Sequence, residues 1–187
     1  MKKHRIIILE GLPGVGKSTI TKSIVNFDPN IVPVNEIINE EIFDNINLFQ
    51  EMYFKNDNMK VQKALDSKKA IIDRGPISTF SYNQVRSILD KNFNCPIKDA
   101  FAWFETFKDF LASDEVIVFY LTNNGSSYYI PYDNNLDPYG SIENQVLLEH
   151  IALYNCKKYC KNLVIIDYRK NNMEELINEI INKHLCS

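Results

Sequence analysis

The chain has few cysteines, few histidines and no long apolar run, and each shortage excludes a class of protein. Its 4 cysteines and 3 histidines show no zinc-ligand spacing, so a zinc site is not expected. Reduced thiols in a cytosolic protein are the expected state of the cysteines. No apolar stretch approaches membrane-spanning length, and the run that begins after Arg5 stops before Glu10, too soon for a secretory signal. These absences predict a soluble, cytoplasmic protein with no membrane partner.

Positive charge is also scarce. Lys and Arg number 21 against 24 Asp and Glu, which leaves a net charge of −3. Proteins that bind duplexes usually carry a basic excess, and no basic–aromatic groove pattern is present, so a nucleic-acid polymer is not expected as a partner. The 187 residues, 45% of them hydrophobic, are enough to form one core without disulfide bonds or metal ions to stabilise it. A single domain spanning 1–187 is predicted.

Short apolar strands alternate with helical patterns along the whole chain, which predicts an α/β fold with a parallel sheet. The predicted strands are 5–10, 31–34, the run inside KAIIDRG (69–75), 115–121 and 163–167. The predicted helices are 15–26, 36–54, 59–67, 78–89, 97–111, 141–160 and 173–184, with a break at Asn56–Asn58. The aromatic stripe in 97–111 is assigned to the core. The stretch at about 122–140 has no helical period and four tyrosines, and its length predicts a lid-like segment.

A phosphate-binding loop is the strongest motif. The pattern G-x-x-x-x-G-K-[ST] is met by Gly11, Gly16, Lys17 and Ser18, between a predicted strand and a predicted helix. Glycines let backbone N–H groups approach phosphate oxygens, and the helix that follows directs its positive end to the same place. Lys17 would reach the terminal phosphates, and the Ser18 hydroxyl would ligate Mg²⁺. The loop therefore predicts Mg²⁺-ATP binding. The residues expected to bind the nucleotide are Gly11, Pro13, Gly14, Val15, Gly16, Lys17, Ser18 and Thr19.

Charged residues follow two of the predicted strands. Ligands of open α/β sheets bind outside the carboxyl ends of the strands, which brings Asp73 and Arg74 near the loop. Asp73 is a candidate for the Mg²⁺ shell, and Arg74 for a clamp on the transferring phosphoryl group. The alternative is an ordinary Asp–Arg pair at a strand end. Glu36, after the second strand, is a candidate general base, or else an acidic residue favoured by a helix N-terminus.

The segments EGLPGVGKST and AIIDRGPISTFSYNQ resemble the P-loop nucleoside and nucleotide kinases, with thymidylate kinase and the deoxynucleoside kinases nearest. Asp73, Arg74, Ser78 and Tyr82 fall at the spacing seen in thymidylate kinases, and Thr79 falls where that family often contacts substrate. The resemblance implies a three-layer P-loop NTPase fold: a five-stranded parallel sheet with helices on both faces.

The resemblance also implies where the substrates bind. ATP would lie on the loop, and the acceptor would lie between Arg74, Tyr82 and the region of Glu36. Phe54 would stack on a base, or else belong to the core. A homodimer is a further implication, since members of the family are often dimers.

Three features depart from the family pattern. Pro13 occupies the loop position where thymidylate kinases carry an acidic residue. The segment 122–140 contains no Lys or Arg. The strand ends in Asp-Arg-Gly, whereas deoxynucleoside kinases have Glu-Arg-Ser, although Glu36 matches their base. The sequence therefore lies between the two groups, and its tyrosine-rich segment suggests a ligand held by stacking and hydroxyl groups.

The function predicted is an ATP- and Mg²⁺-dependent kinase of a small-molecule acceptor, a nucleoside or nucleoside monophosphate. Lys17, Arg74, Asp73 and Glu36 are the candidate catalytic residues. Two alternatives stay open: a kinase of another small-molecule hydroxyl, and a nucleotide-dependent switch or hydrolase with a protein partner.

Overall fold

The strands form one sheet with helices on both faces in the computed structural model, which describes residues 4–35, 46–93, 97–122, 137–167 and 173–181. The strands are β1 (Ile6–Glu10), β2 (Val32–Val34), β3 (Ala70–Asp73), β4 (Val116–Thr122) and β5 (Leu163–Asp167). The helices are α1 (Lys17–Phe27), α2 (Ile46–Asp66), α3 (Pro76–Leu89), α4 (Ile97–Glu105), α5 (Lys108–Leu111), α6 (Ile142–Tyr159) and α7 (Met173–Ile180). The strand order is β2-β3-β1-β4-β5, and every pairing is parallel. The predicted α/β class and five-stranded parallel sheet are confirmed.

The central strand explains why two helical layers are needed. All five residues of β1 are buried, and alternate side chains enter different cores. Ile6 and Ile8 pack with Phe80 and Phe104, whereas Ile7 and Leu9 pack with residues that include those of α1 and α7. A strand that is apolar on both faces has to be covered on both faces.

The strand register brings the candidate residues to one edge of the sheet. Leu9 lies beside Asp73, and Glu10 lies beside Tyr120 on the other neighbouring strand. The phosphate loop begins at Gly11, directly after β1. Because the strands are parallel, the loop and the end of β3 open on the same side.

The predicted break at Asn56–Asn58 is wrong. Helix α2 runs through it without interruption from Ile46 to Asp66. Asn56 and Asp57 are 6% and 2% exposed, and the Asp57 carboxylate lies 3.6 Å from the ammonium of Lys60, which is itself 2% exposed. These polar residues are buried on the inner face of the helix, where the charges of Asp57 and Lys60 pair with each other.

The aromatic helix predicted over 97–111 is divided into α4 and α5. The amide groups of Thr106 and Phe107 each bond to the carbonyl three residues earlier, which tightens the turn between the two helices. Phe104 is fully buried and stacks on Phe80 with ring centroids 4.2 Å apart, as a core assignment requires. Phe101 is the exception, at 43% exposed. No helix in the described part of the chain is long and apolar enough to cross a membrane.

Candidate active site

The phosphate loop is shaped by glycines in the left-handed region. Gly11 has φ 131°, and a Cβ built on it would lie 2.3 Å from the Leu121 carbonyl oxygen. Only glycine allows the end of β4 to approach the loop so closely. Gly16 has φ 86° and immediately precedes α1. The first N–H groups of that helix therefore face the loop, where they favour an anion.

A cavity of about 400 Å³ lies over this helix end. Its lining residues are Pro13, Gly14, Gly16, Lys17, Ser18, Thr19, Asp73 and Arg74. Six of them come from the loop and the start of α1, and two come from the end of β3. The structure therefore brings six of the eight predicted nucleotide-binding residues together with the two strand-end residues. Gly11 and Val15 do not line this cavity, and Val15 is buried in the core.

Lys17 folds back onto the loop. Its side chain is buried, and its ammonium donates hydrogen bonds to the carbonyl oxygens of Gly11 at 2.8 Å and Leu12 at 2.7 Å. These contacts hold the charge at the floor of the cavity. A phosphate oxygen entering the cavity would meet this ammonium together with the amide groups of α1.

Ser18 and Asp73 meet directly. The Ser18 hydroxyl donates a hydrogen bond of 2.9 Å to the Asp73 carboxylate, across 55 residues of sequence. A hydroxyl and a carboxylate are hard oxygen donors of the kind that Mg²⁺ prefers, and Mg²⁺ usually takes one or two protein ligands beside phosphate and water. Among the described residues no cluster of three or more His, Cys, Asp or Glu is placed to hold a metal. The donor set fits a magnesium ion shared with a nucleotide.

Arg74 adopts an unusual backbone conformation. Its φ is 58°, the only positive value among the described residues other than glycine. Its amide donates to the Leu9 carbonyl oxygen at 3.0 Å, and Arg74 lines the cavity. A left-handed arginine is strained, and such strain persists only where surrounding contacts hold it.

Glu10 anchors the start of α3 from below. It is 1% exposed, accepts a 2.9 Å hydrogen bond from the Gly75 amide and accepts another from the Ser78 hydroxyl. Burial raises the pKa of Glu10 to about 7, although the hydrogen bonds from Ser78 and Gly75 act in the opposite direction. Ser78 therefore lies at the predicted site, where its hydroxyl bonds to the buried Glu10.

Tyr82 contacts the end of the lid-like segment. Its hydroxyl donates a 2.8 Å hydrogen bond to the Asp137 carboxylate, and its ring lies 5.6 Å from that of Tyr139. Burial, and then the neighbouring carboxylate of Asp137, raise the pKa of Tyr82 far above its ordinary value. Thr79, half-buried one turn earlier, accepts a hydrogen bond from Asn83 through its carbonyl oxygen. Substrate binding by Tyr82 and Thr79 stays a prediction.

Two other predicted residues have different outcomes. Phe54 stacks on Trp103, with centroids 4.2 Å apart, and packs against the core that contains Phe104. This matches the core alternative, and base stacking by Phe54 stays a prediction. Glu36 lies outside the described residues, as do residues 123–136 of the lid-like segment. Thr122 belongs to β4 and bonds to Glu149.

Three polar residues around the site were not predicted from the sequence. Lys60 and Asp57 lie beneath the end of β3, and Asp137 lies at the end of the lid-like segment. Lys60 and Asp57 are three residues apart, a spacing that places them on one helix face, but the Asn-Asp-Asn sequence by itself predicts a break. Asp137 sits in Asp-Pro, an ordinary turn signal.

A second cavity, of about 540 Å³, adjoins the first and shares Ser18 and Asp73 with it. Residues of α1 and the end of β2 line it, among them Thr21 and Asn35. The Thr21 hydroxyl is buried and has no hydrogen-bond partner among the described residues. Asn35 immediately precedes Glu36 in the sequence.

Solved structures with the same architecture span nearly the whole chain. A thymidylate kinase from Candida albicans is 14% identical, with a TM-score of 0.66 over 97% of this chain and 92% of its own. A deoxyadenosine kinase from M. mycoides with bound dATP is 16% identical, with a TM-score of 0.65 over 95% and 98%. The YorR protein from Bacillus subtilis, in complex with phosphorylated GDP, is 18% identical, with a TM-score of 0.61 over 95% and 94%.

The chain has the P-loop nucleotide kinase fold. The resemblance seen in the sequence is confirmed at the level of the fold. No family model matches the sequence, and no curated protein matches it.

Proposed function

We propose that the chain is an ATP- and Mg²⁺-dependent phosphotransferase whose acceptor is a nucleoside or a nucleoside monophosphate. One observation carries the proposal: the Ser18 hydroxyl of the phosphate loop bonds to Asp73 at the rim of the cavity that Lys17 and Arg74 also line. The two groups come from segments far apart in sequence and meet where a nucleotide-bound magnesium ion would bind. The shared fold of the nucleotide kinases supports the same conclusion.

The residues of the cavity have complementary roles in this proposal. The first amides of α1 and the Lys17 ammonium bind the terminal phosphates of ATP, and Arg74 stabilises the negative charge that develops on the transferring group. Mg²⁺, held by Ser18 and Asp73, would neutralise charge on the phosphates. Arg74 is well placed for this because its backbone is anchored to the end of β1 by the bond to Leu9.

The acceptor approaches from the side of the second cavity. Asn35 lines that cavity, so Glu36, the next residue, is proposed as the base that accepts the proton of an acceptor hydroxyl. Arg86 is directed elsewhere: it pairs with Asp90 at 3.2 Å and lies over the ring of Phe93. Among the described arginines, Arg74 is therefore the one proposed to meet the acceptor or the transferring phosphate.

A thermal-shift screen identifies the acceptor. The protein is heated with Mg²⁺ and a non-hydrolysable ATP analogue, alone and together with each nucleoside and each nucleoside monophosphate. A ligand present at 100 times its Kd stabilises the folded state by about 2.7 kcal/mol, which raises the Tm by several degrees. The Lys17→Ala variant should lose the shift caused by the analogue. Lys68→Ala, which removes an exposed lysine remote from the cavity, should keep it.

The outcomes separate the hypotheses. Stabilisation by a monophosphate indicates a nucleotide kinase, with Arg74 on the acceptor phosphate. Stabilisation by a nucleoside indicates a nucleoside kinase, with Glu36 as base. A shift with the ATP analogue alone leads to a screen of other small-molecule hydroxyls. Binding without transfer to any acceptor, together with a protein partner, would contradict the kinase proposal and favour a switch.

A further inference from the structure

Lys60 is a charged residue buried beneath the candidate site. Its side chain is 1% exposed, although lysine is almost never fully buried in proteins. It projects from the middle of α2 toward the end of β3. Burial of an ammonium is unfavourable unless hydrogen bonds and an opposite charge compensate it, so the surroundings of Lys60 require explanation.

Those surroundings are two consecutive backbone carbonyls and one carboxylate. The Lys60 ammonium donates to the carbonyl oxygen of Asp73 at 2.9 Å and to that of Arg74 at 2.5 Å. The Asp57 carboxylate, one turn earlier on α2 and 3% exposed, lies 3.6 Å away. The ammonium therefore holds the backbone carbonyl groups of Asp73 and Arg74 by hydrogen bonds. These are the two strand-end residues that line the phosphate cavity.

These hydrogen bonds favour the observed backbone conformation of Arg74. In the left-handed region, with φ 58°, its carbonyl and the preceding one both reach Lys60, while its amide reaches Leu9. An extended Arg74 would be free of backbone strain, but it would turn one of these carbonyls away from the ammonium. Because an arginine avoids the left-handed region by itself, surrounding contacts supply the preference, and the two hydrogen bonds from Lys60 are among them.

The side-chain directions of Asp73 and Arg74 depend on this backbone. We propose that Lys60 is a positioning residue, which holds Asp73 and Arg74 in the orientation needed for phosphoryl transfer. The inference rests on the proposed phosphotransferase activity and adds a residue to it. In this role Lys60 contacts no substrate. It acts through the backbone of Asp73 and Arg74, which are the residues proposed to act on the phosphates and the metal.

A double-mutant cycle on transfer tests the proposal. The proteins are wild type, Lys60→Gln, Arg74→Ala and the double variant, with Lys63→Gln as a control because Lys63 is exposed on the same helix. Misplacement of a catalytic group by about 1 Å can reduce the rate about 100-fold, so Lys60→Gln should lower kcat by about 10- to 100-fold and change the KM for ATP less. In the Arg74→Ala background the same substitution should lower kcat by a smaller factor than in wild type, since one of the two residues that Lys60 positions is absent.

Removal of Lys60 alone leaves the Asp57 carboxylate buried, and that variant is at risk of misfolding. The pair Asp57→Asn/Lys60→Met removes both charges, and Asp57→Asn alone retains the ammonium. The paired variant should lose kcat relative to Asp57→Asn. Equal activity of the two would overturn the proposal, as would an equal loss from Lys60→Gln with and without Arg74.

An NMR measurement tests the same geometry without turnover. The chain has four arginines, so a sample labelled with ¹³C,¹⁵N-arginine gives four Cα signals, and Arg74→Lys identifies that of Arg74. The Cα shift reports backbone conformation. In Asp57→Asn/Lys60→Met the Arg74 signal should move toward extended values, while that of Arg5, bonded to Glu115, should stay in place. An unmoved Arg74 signal would refute the role of Lys60. Absence of transfer in the wild type, with a moved signal, would refute only the phosphotransferase activity.

Discussion

The buried carboxyl of Glu10 should make the stability of the protein depend on pH. Glu10 is 1% exposed at the carboxyl end of β1 and binds the Gly75 amide and the Ser78 hydroxyl. Burial raises its pKa from 4.5 to about 7. The substitution Glu10→Gln keeps the shape and both hydrogen bonds, with the amide nitrogen donating to Ser78, but removes the titration.

The magnitude follows from the two pKa values. A tenfold change in proton affinity corresponds to about 1.4 kcal/mol, so a shift from 4.5 to about 7 corresponds to about 3 kcal/mol. Below pH 4.5 the folded and unfolded chains are both protonated at this residue, and the full stabilisation is present. Between the two values the unfolded chain releases its proton while the folded chain keeps it, so stability falls as pH rises. Above pH 7 the loss is complete.

Urea unfolding between pH 4 and pH 8.5 measures this effect, since the range covers both pKa values. The free energy of unfolding of Glu10→Gln, minus that of wild type, should rise by about 3 kcal/mol across this range. Glu51→Gln, which removes an exposed carboxylate on α2, corrects for the general loss of one negative charge. A difference between Glu10→Gln and wild type that stays constant with pH would refute the assignment of a buried, protonated Glu10.

Three further predictions concern the loop, the metal site and the lid-like segment. Gly11→Ala should lower the free energy of unfolding by more than about 3 kcal/mol in urea, because its Cβ would clash with the Leu121 carbonyl. Gly14→Ala has open space around its Cβ and should lower it by only about 1–2 kcal/mol, through backbone strain. Equal losses would contradict the close approach. Asp73→Asn should raise the Mg²⁺ concentration for half-maximal transfer by about tenfold or more, with exposed Asp109→Asn as the control; an unchanged requirement would remove Asp73 from the metal site. Tyr82→Phe should lower the free energy of unfolding by about 1.5–3 kcal/mol through the lost bond to Asp137, with exposed Tyr154→Phe unaffected. A loss no larger than in the control would show that this bond does not tie the segment to α3.

The main framework of the site could be predicted because it rests on local signals. Gly11, Gly16, Lys17 and Ser18 form a contiguous motif between a strand and a helix, and the structure has β1 and α1 there. Asp73 closes an apolar run, and parallel strands deliver such residues to one edge. The contact between Ser18 and Asp73 follows from these two facts together.

The rest depends on tertiary contacts that leave no periodic signal. Asn56 and Asp57 have the composition of a turn, yet they are helical and buried, and Asp57 pairs with the buried Lys60. The environment of Glu10 depends on Ser78, which is 68 residues away. The spacing of Tyr82 predicts a substrate contact, whereas the residue that it bonds to, Asp137, lies at the end of the lid-like segment. Local sequence patterns predict which face of a helix or strand is buried and where turns occur. They do not predict which buried polar groups form hydrogen bonds or ion pairs with each other.

The most direct test of the account is transfer of the labelled γ-phosphoryl group of ATP to a panel of nucleosides and nucleoside monophosphates, with wild type and Lys17→Ala. The account predicts Mg²⁺-dependent label in one acceptor class with the wild type, and a rate reduced by at least about 100-fold in a folded Lys17→Ala protein, since the ammonium that meets the terminal phosphates is gone. Label that appears only in inorganic phosphate, or equal transfer by the folded Lys17→Ala variant, would contradict it.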